Sequence, residues 1–322
     1  MTLSRRRFHA WATLPLAAPW VARAQGSKPL RLVIPGPPGG ASDIIARILE
    51  GELTRLLGQT LVIEPRPGAG GNVATEMVAK APPDGQTILF GDIGPLAINV
   101  SLYPSLRYDP VRDFEPIAKV AVFPWIVAAH PSLGARSLAD LFELARRTPE
   151  GLPFATPGQG TPMHLTGAML SKVSGATFRH VPYKGGGPAT MDVLAGHVKL
   201  GIVGLPPAIP HVKTGALIGI GVSTGTRAPQ LPEVATLQEG GMKDFDAGVW
   251  YGFLAPRGTP RAVVDRINAA TRAALSNPAV IENLDKRAVV PAFSSPEAFR
   301  ALIEAEGRRW GPLVKASGAT PE

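Results

Sequence analysis

Cysteine is absent from all 322 residues. That excludes a disulfide framework, a thiolate nucleophile, and any zinc or iron–sulfur centre built on thiolates. Charge is sparse: 18% of residues are charged against 45% hydrophobic, which leaves ample apolar material for the cores of about two ordinary domains. There is no run of lysine or arginine beyond the first two dozen residues, and the net charge of +8 owes half its value to Arg5, Arg6, Arg7 and Arg23. Phosphate-tracking proteins need a dense basic face, so no nucleic-acid partner is expected. No later stretch of about 20 apolar residues is free of charge, glycine and proline, so the chain is not expected to span a membrane. His130, His164, His180, His197 and His211 show no ligand spacing, so no metal or other cofactor is expected.

What is present begins with a leader. Arg5–Arg7 form a positive start, Ala10 to Trp20 a short apolar stretch, and Ala22-Arg23-Ala24 a small-residue cleavage site. Residues 1–24 therefore read as a secretory signal, with the mature chain starting at Gln25 in the periplasm. Ser4-Arg5-Arg6-Arg7-Phe8 also resembles a twin-arginine export motif; an ordinary secretory signal with three arginines is the alternative.

After the leader, one plan occurs twice. Leu30 to Pro35 is an apolar, β-rich run that meets the Gly36 to Gly40 turn. Ser42 to Leu57 then carries apolar residues on one helical face. A strand (61–64), a glycine turn (68–71), a short helix (72–80) and a strand (87–90) complete a β-α-β-α-β unit. The second unit runs through Leu152 to Thr156, a helix capped by Thr161 with Pro162 at its first position, Thr177 to Tyr183, Pro188 to Ala195, and Val198 to Val203. Such alternation predicts α/β architecture with parallel sheets, in two doubly wound lobes. Phe114 to His130 reads as a crossing segment. Val249 to Ala255 and helices capped at Thr259-Pro260 and Ser295-Pro296 are too little for a third lobe. The expected organisation is thus lobe 1 over 25–124, lobe 2 over 125–224, and a return to lobe 1 over 225–322, with a two-strand hinge. Ligands of open α/β sheets bind beyond the carboxyl ends of the strands. Those positions here are Gly/Pro loops leading into helix N-termini, which favour anions.

Several motifs now carry a resemblance. Pro35-Gly36-Pro37-Pro38-Gly39-Gly40-Ala41-Ser42-Asp43 with Ala46-Arg47, Arg66-Pro67-Gly68-Ala69-Gly70-Gly71-Asn72, Pro82-Pro83-Asp84-Gly85, and Tyr103-Pro104 with Tyr108-Asp109-Pro110 resemble segments of Bug-type solute receptors. So do Gly158-Gln159-Gly160-Thr161-Pro162 with His164-Leu165, His180-Val181-Pro182-Tyr183-Lys184-Gly185, and Ala255-Pro256-Arg257-Gly258-Thr259-Pro260. These receptors are the periplasmic component of tripartite tricarboxylate transporters. The resemblance implies a type II periplasmic-binding-protein fold, no enzymatic activity, no cofactor, and a small carboxylate ligand held by backbone N–H groups. It implies integral-membrane transporter subunits as partners and a monomeric receptor. First-lobe contacts would come from Pro38, Gly39, Gly40, Ala41, Ser42 and Asp43 and from the Asp92 to Pro95 loop, with Asp92 and Gly94 as candidates. Second-lobe contacts would come from Thr156, Gly160 and Thr161, from Gly186 and Gly187, and from Leu205; His164 is a further candidate. The chain departs from the family pattern at Val203-Gly204, where an acid and a polar residue are usual. It departs again at Gly91-Asp92-Ile93-Gly94-Pro95, where threonine and serine are usual. Without an acid at 203, a ligand lacking an ammonium group is expected.

Two other readings compete. Gly221-Val222-Ser223-Thr224-Gly225 matches a hydrolase elbow, but two prolines rather than a helix follow it, and no histidine comes after His211. A periplasmic ligand-sensing partner of a membrane signalling protein uses the same capture step as a transport receptor. Gly36 to Gly40 and Lys184 to Gly187 do not fit a phosphate-binding loop. Trp125 and Trp310 read as core, with Trp250 poised between core and cleft.

Overall fold

The computed structural model describes residues 28–320; the leader lies outside that range. Two sheets organise the chain. The first begins with β1 (Leu30–Ile34), α1 (Ala41–Leu57), β2 (Leu61–Pro65), α2 (Asn72–Ala79) and β3 (Thr87–Asp92). On α1, Ile45, Leu49 and Leu53 repeat every fourth residue and are buried, and Gly58 ends the helix in the left-handed region (φ 61°). A π-helical turn at Gly94–Ile98 and the short α3 (Asn99–Leu102) lead to β4 (Phe114–Phe123). Pro124 separates β4 from β5 (Trp125–Ala129), the first strand of the second sheet.

The second sheet follows with α4 (Leu138–Arg146), β6 (Leu152–Thr156), α5 (Pro162–Ser174), β7 (Phe178–Pro182), α6 (Gly186–Leu194), β8 (Leu200–Gly204), α7 (Leu205–Lys213) and β9 (Ile218–Val222). All five residues of β8 are buried, as the continuous run Leu-Gly-Ile-Val-Gly suits a strand covered on both faces. The chain then returns as β10 (Val249–Pro256), α8 (Arg261–Leu275), α9 (Pro278–Asp285), β11 (Val290–Pro291) and α10 (Pro296–Ser317).

The two sheets repeat one strand order. The first runs β2-β1-β3-β10-β4 with β11 on its edge, and the second runs β7-β6-β8-β5-β9. In each, the fourth strand arrives from the other lobe and runs antiparallel to its neighbours. The sheets are therefore mixed, where alternation alone predicted parallel ones: a strand that crosses between lobes enters from the opposite end. β10 lies in the first sheet, between β3 and β4. At the crossing Val249 pairs with Phe123, and a Cβ on Gly248 would meet Val122 at 2.1 Å. Glycine lets the two crossings lie side by side.

The return comes later than residue 225. Leu231 and Val234 pack in the core with Ile126 and Ala128 of β5. The chain also pairs again with β9, through Val222 N–H to Ala235 (2.9 Å) and Leu237 N–H to Val222 (2.8 Å). Residues 228–237 thus belong with the second sheet, and the chain recrosses at Gly248. Thr161 and Ser295 cap α5 and α10 as predicted. Thr259 does not cap α8; its hydroxyl turns back to the carbonyl of Pro256, and Pro260 takes the cap position.

Trp125 and Trp310 are fully buried. Trp250 is core as well, at 3% exposure, edge-on to Phe299 and donating its indole N–H to Glu306 at 3.3 Å. Each such burial removes a large apolar area from water, worth about 1.5–3 kcal/mol per aliphatic or phenyl side chain.

Candidate functional site

A cavity of about 520 Å³ lies between the lobes, lined by both. The first lobe contributes Gly39, Gly40, Ala41, Ile44 and Ile45 at the start of α1, and the second Gly186 and Gly187 at the start of α6. The hinge supplies Phe123, Gly204, Pro206, Val249 and Tyr251, and the α9–β11 loop supplies Arg287 and Val289. Pro157 and Met163 close the second-lobe side. The walls are largely apolar, with Arg287 and Tyr251 as their polar side chains, and no acidic side chain is among the lining residues.

Four helices that follow strand carboxyl ends, α1, α5, α6 and α7, reach this cavity, and they differ in what their N-termini leave open. At α1, Gly40 takes the cap position and has no side chain to cap with. Gly39 donates its N–H to Asp43 Oδ2 at 2.8 Å and Gly40 donates to Pro37 at 3.0 Å. That leaves the first-turn N–H groups of Ala41, Ser42 and Asp43, which an α-helix cannot pair internally. Asp43 is buried and held by Arg47 Nε at 3.1 Å, so its carboxylate fixes the Gly39–Gly40 turn from behind. At α6 the cap is Gly185 (φ 110°), again with no side-chain bond, and the first-turn N–H groups belong to Gly186 and Gly187, since Pro188 has none.

The other two N-termini are occupied. At α5 the Thr161 hydroxyl accepts the His164 N–H, and Gly160 donates its N–H to His164 Nδ1 at 3.1 Å. At α7, Leu205 is fully buried and donates its N–H to Pro124 at 2.9 Å, and Pro206 and Pro207 bring no N–H. Two anion-favouring ends thus face one cavity, from opposite lobes.

The sequence-predicted residues divide accordingly. Gly39, Gly40, Ala41, Gly186 and Gly187 line the cavity; Pro38, Ser42, Asp43, Asp92, Gly94, Thr156, Gly160, Thr161, His164 and Leu205 do not. Asp92 Oδ1 accepts the Gly94 N–H at 2.8 Å, and burial pushes its carboxyl up to about 6. Thr156, Thr161, His164 and His180 form a self-satisfied cluster. His180 reaches Thr156 Oγ1 at 2.6 Å and Gln159 Oε1 at 2.9 Å, and it stacks on His164 with ring centres 3.8 Å apart. Burial, and second the neighbouring His164, push His180 down to about 4; burial also lowers His164. Gly160 lies against the other lobe, where a Cβ would come within 2.3 Å of Leu102. Val203 points into the second-lobe core, so the residue of that pair that meets the cavity is Gly204. With Val203 in the core, a ligand's ammonium group would meet the lining, which carries no acid.

The family model for the receptor of tripartite tricarboxylate transporters matches residues 45–319. The chain belongs to this family. It is a solute-binding receptor, not an enzyme. The receptor is 33% identical to Protein BugT of Bordetella pertussis over 309 residues, covering 96% of this chain and 95% of BugT. Among solved structures it resembles Rpa4515 of R. palustris with adipate (TM-score 0.83, 33% identity, 92% of this chain and 100% of that one). It also resembles MatC (Rpa3494) from Rhodopseudomonas palustris with bound malate (TM-score 0.77, 30% identity, 89% and 98%). The two-lobed receptor fold predicted from the motifs is the fold observed. The histidines of the receptor form no metal-binding group with acids among the described residues, and none of its described helices is long and apolar enough to cross a membrane.

Proposed function

We propose that this receptor is exported to the periplasm, captures a small carboxylate without an ammonium group in the inter-lobe cavity, and delivers it to the membrane subunits of a tripartite tricarboxylate-type transporter. The observation that carries this reading is the convergence of two uncapped, glycine-started helix N-termini on one apolar cavity. Their N–H groups suit a carboxylate, and the walls suit an alkyl or hydroxylated body. An ammonium would enter with no acidic partner in the lining, and burying an unpaired charge costs several kcal/mol. The adipate and malate bound by Rpa4515 and MatC are both carboxylates without ammonium.

A thermal-shift screen of the chain from Gln25 onward against carboxylic acids tests the reading. A ligand present at about 100 times its dissociation constant stabilises the fold by about 2.7 kcal/mol. At least one such acid is expected to raise the melting temperature clearly. A uniformly flat response across mono-, di- and tricarboxylates would overturn the proposal.

A further inference from the structure

One cation stands in the cavity wall. Arg287 is the one charged residue among those lining the cavity. The way the chain presents it is specific. α9 ends with the N–H groups of Arg287 and Val289 both donated to Leu284, at 2.9 and 3.0 Å, and Ala288 donates to Asp285 at 2.9 Å. Ala288 adopts φ 48°, a left-handed conformation that costs a non-glycine residue on the order of 1 kcal/mol. That turn drives Val289 into the core at 1% exposure while Arg287 stays exposed at the cavity. The charge next to it is already spoken for: Lys286 pairs with Glu282 at 2.7 Å. Arg287 has no acidic partner among the described residues, and its guanidinium donates from Nη1 to the Asn283 carbonyl at 3.1 Å. A guanidinium keeps its charge throughout the physiological range and holds carboxylates through two parallel N–H donors.

We infer that Arg287 anchors a second anionic group of the ligand, so that this receptor selects acids with two anionic ends over acids with one. This rests on the carboxylate-receptor reading above. One carboxylate sits at the N-termini of α1 and α6. The chain of the ligand lies along Ile44, Ile45, Phe123 and Met163, and the far carboxylate meets Arg287. The α1 and α6 ends hold any carboxylate, so they set the class of ligand; Arg287 sets the number of charges.

The test is calorimetry with α,ω-dicarboxylates from four to eight carbons and the monocarboxylates of equal length, on the wild-type receptor, Arg287→Gln and Arg287→Lys. Arg287 is exposed, so both variants are expected to fold. The wild type is expected to bind its best dicarboxylate about 10- to 100-fold more tightly than the matched monocarboxylate, the range of one charged hydrogen-bonded pair. Arg287→Gln should remove most of that ratio by weakening the dicarboxylate alone, and Arg287→Lys should keep part of it. Equal losses for both acids, or an unchanged ratio in Arg287→Gln, overturn the role of Arg287 while leaving the receptor reading intact. Binding of monocarboxylates only also overturns it. No binding of either series by the wild type overturns the carboxylate reading itself.

Discussion

The Ser223 hydroxyl accepts the backbone N–H of Trp125 at 3.0 Å, and the Ser223 N–H donates to the Trp125 carbonyl at 2.9 Å. Both residues are fully buried. Trp125 opens β5 just after the outward crossing, and Ser223 directly follows β9. Its carbonyl also accepts the N–H of Ala247, just before the return crossing. One serine thus ties the two crossings together. The motif that resembled a hydrolase elbow is a fastening at the hinge.

We expect Ser223→Ala to leave the buried Trp125 N–H without its side-chain acceptor and to lower unfolding stability by about 1–3 kcal/mol. Equilibrium denaturation with urea measures this. Wild type and variant should show no ester hydrolysis; turnover that vanishes in the variant would restore the hydrolase reading.

Gly160 sits at φ 70° against Leu102 of the other lobe. A β-branched residue there is strained by backbone conformation and crowds the inter-lobe contact. Gly160→Val is therefore expected to favour a more open arrangement. Small-angle scattering should show a larger radius of gyration than wild type, and ligand affinity should fall. An unchanged radius with unchanged affinity would show that this contact does not control the lobes.

Acid should weaken the protein through the histidine pair. His180 titrates near 4 when folded, against 6.5 when free, so between those values the unfolded chain binds more protons. That stability is fully present above about 6.5 and is lost as the pH falls toward 4. Asp92 works the other way, because its folded value of about 6 lies above 3.8: its contribution favours folding at low pH and is lost as the pH rises through 6. Asp92→Asn should thus be more stable than wild type at pH 8, by about 2 kcal/mol, with the gap closing near pH 4. Asparagine can still accept the Gly94 N–H. Melting temperatures of both proteins from pH 4 to 8 check the sign; a gap that widens on acidification would contradict it.

Much of this could be read from residue order. Apolar periodicity placed α1, and the apolar run in Phe114 to His130 marked the crossing. Thr161-Pro162 and Ser295-Pro296 announced two helices, because caps act within a turn of chain. The glycines at 39, 40, 186 and 187 were named as contacts through the family resemblance, and they line the cavity. The fate of Leu205 was not legible: its N–H is taken by Pro124, 81 positions earlier in the chain, and no local pattern reports a tertiary partner. Phe123, Val249, Tyr251 and Arg287 were missed for a related cause. They reach the cavity through the order of strands at the hinge and a left-handed turn at an alanine, and neither leaves a motif.

The most direct test of the account is titration calorimetry comparing succinate and malate with aspartate. Each has four carbons and two carboxylates, and aspartate adds the ammonium. The cavity lining has backbone N–H donors, one guanidinium and no carboxylate. We therefore expect micromolar or tighter binding of at least one of the two deaminated acids and binding of aspartate at least about 10-fold weaker. Micromolar binding of aspartate with none of succinate or malate would contradict it.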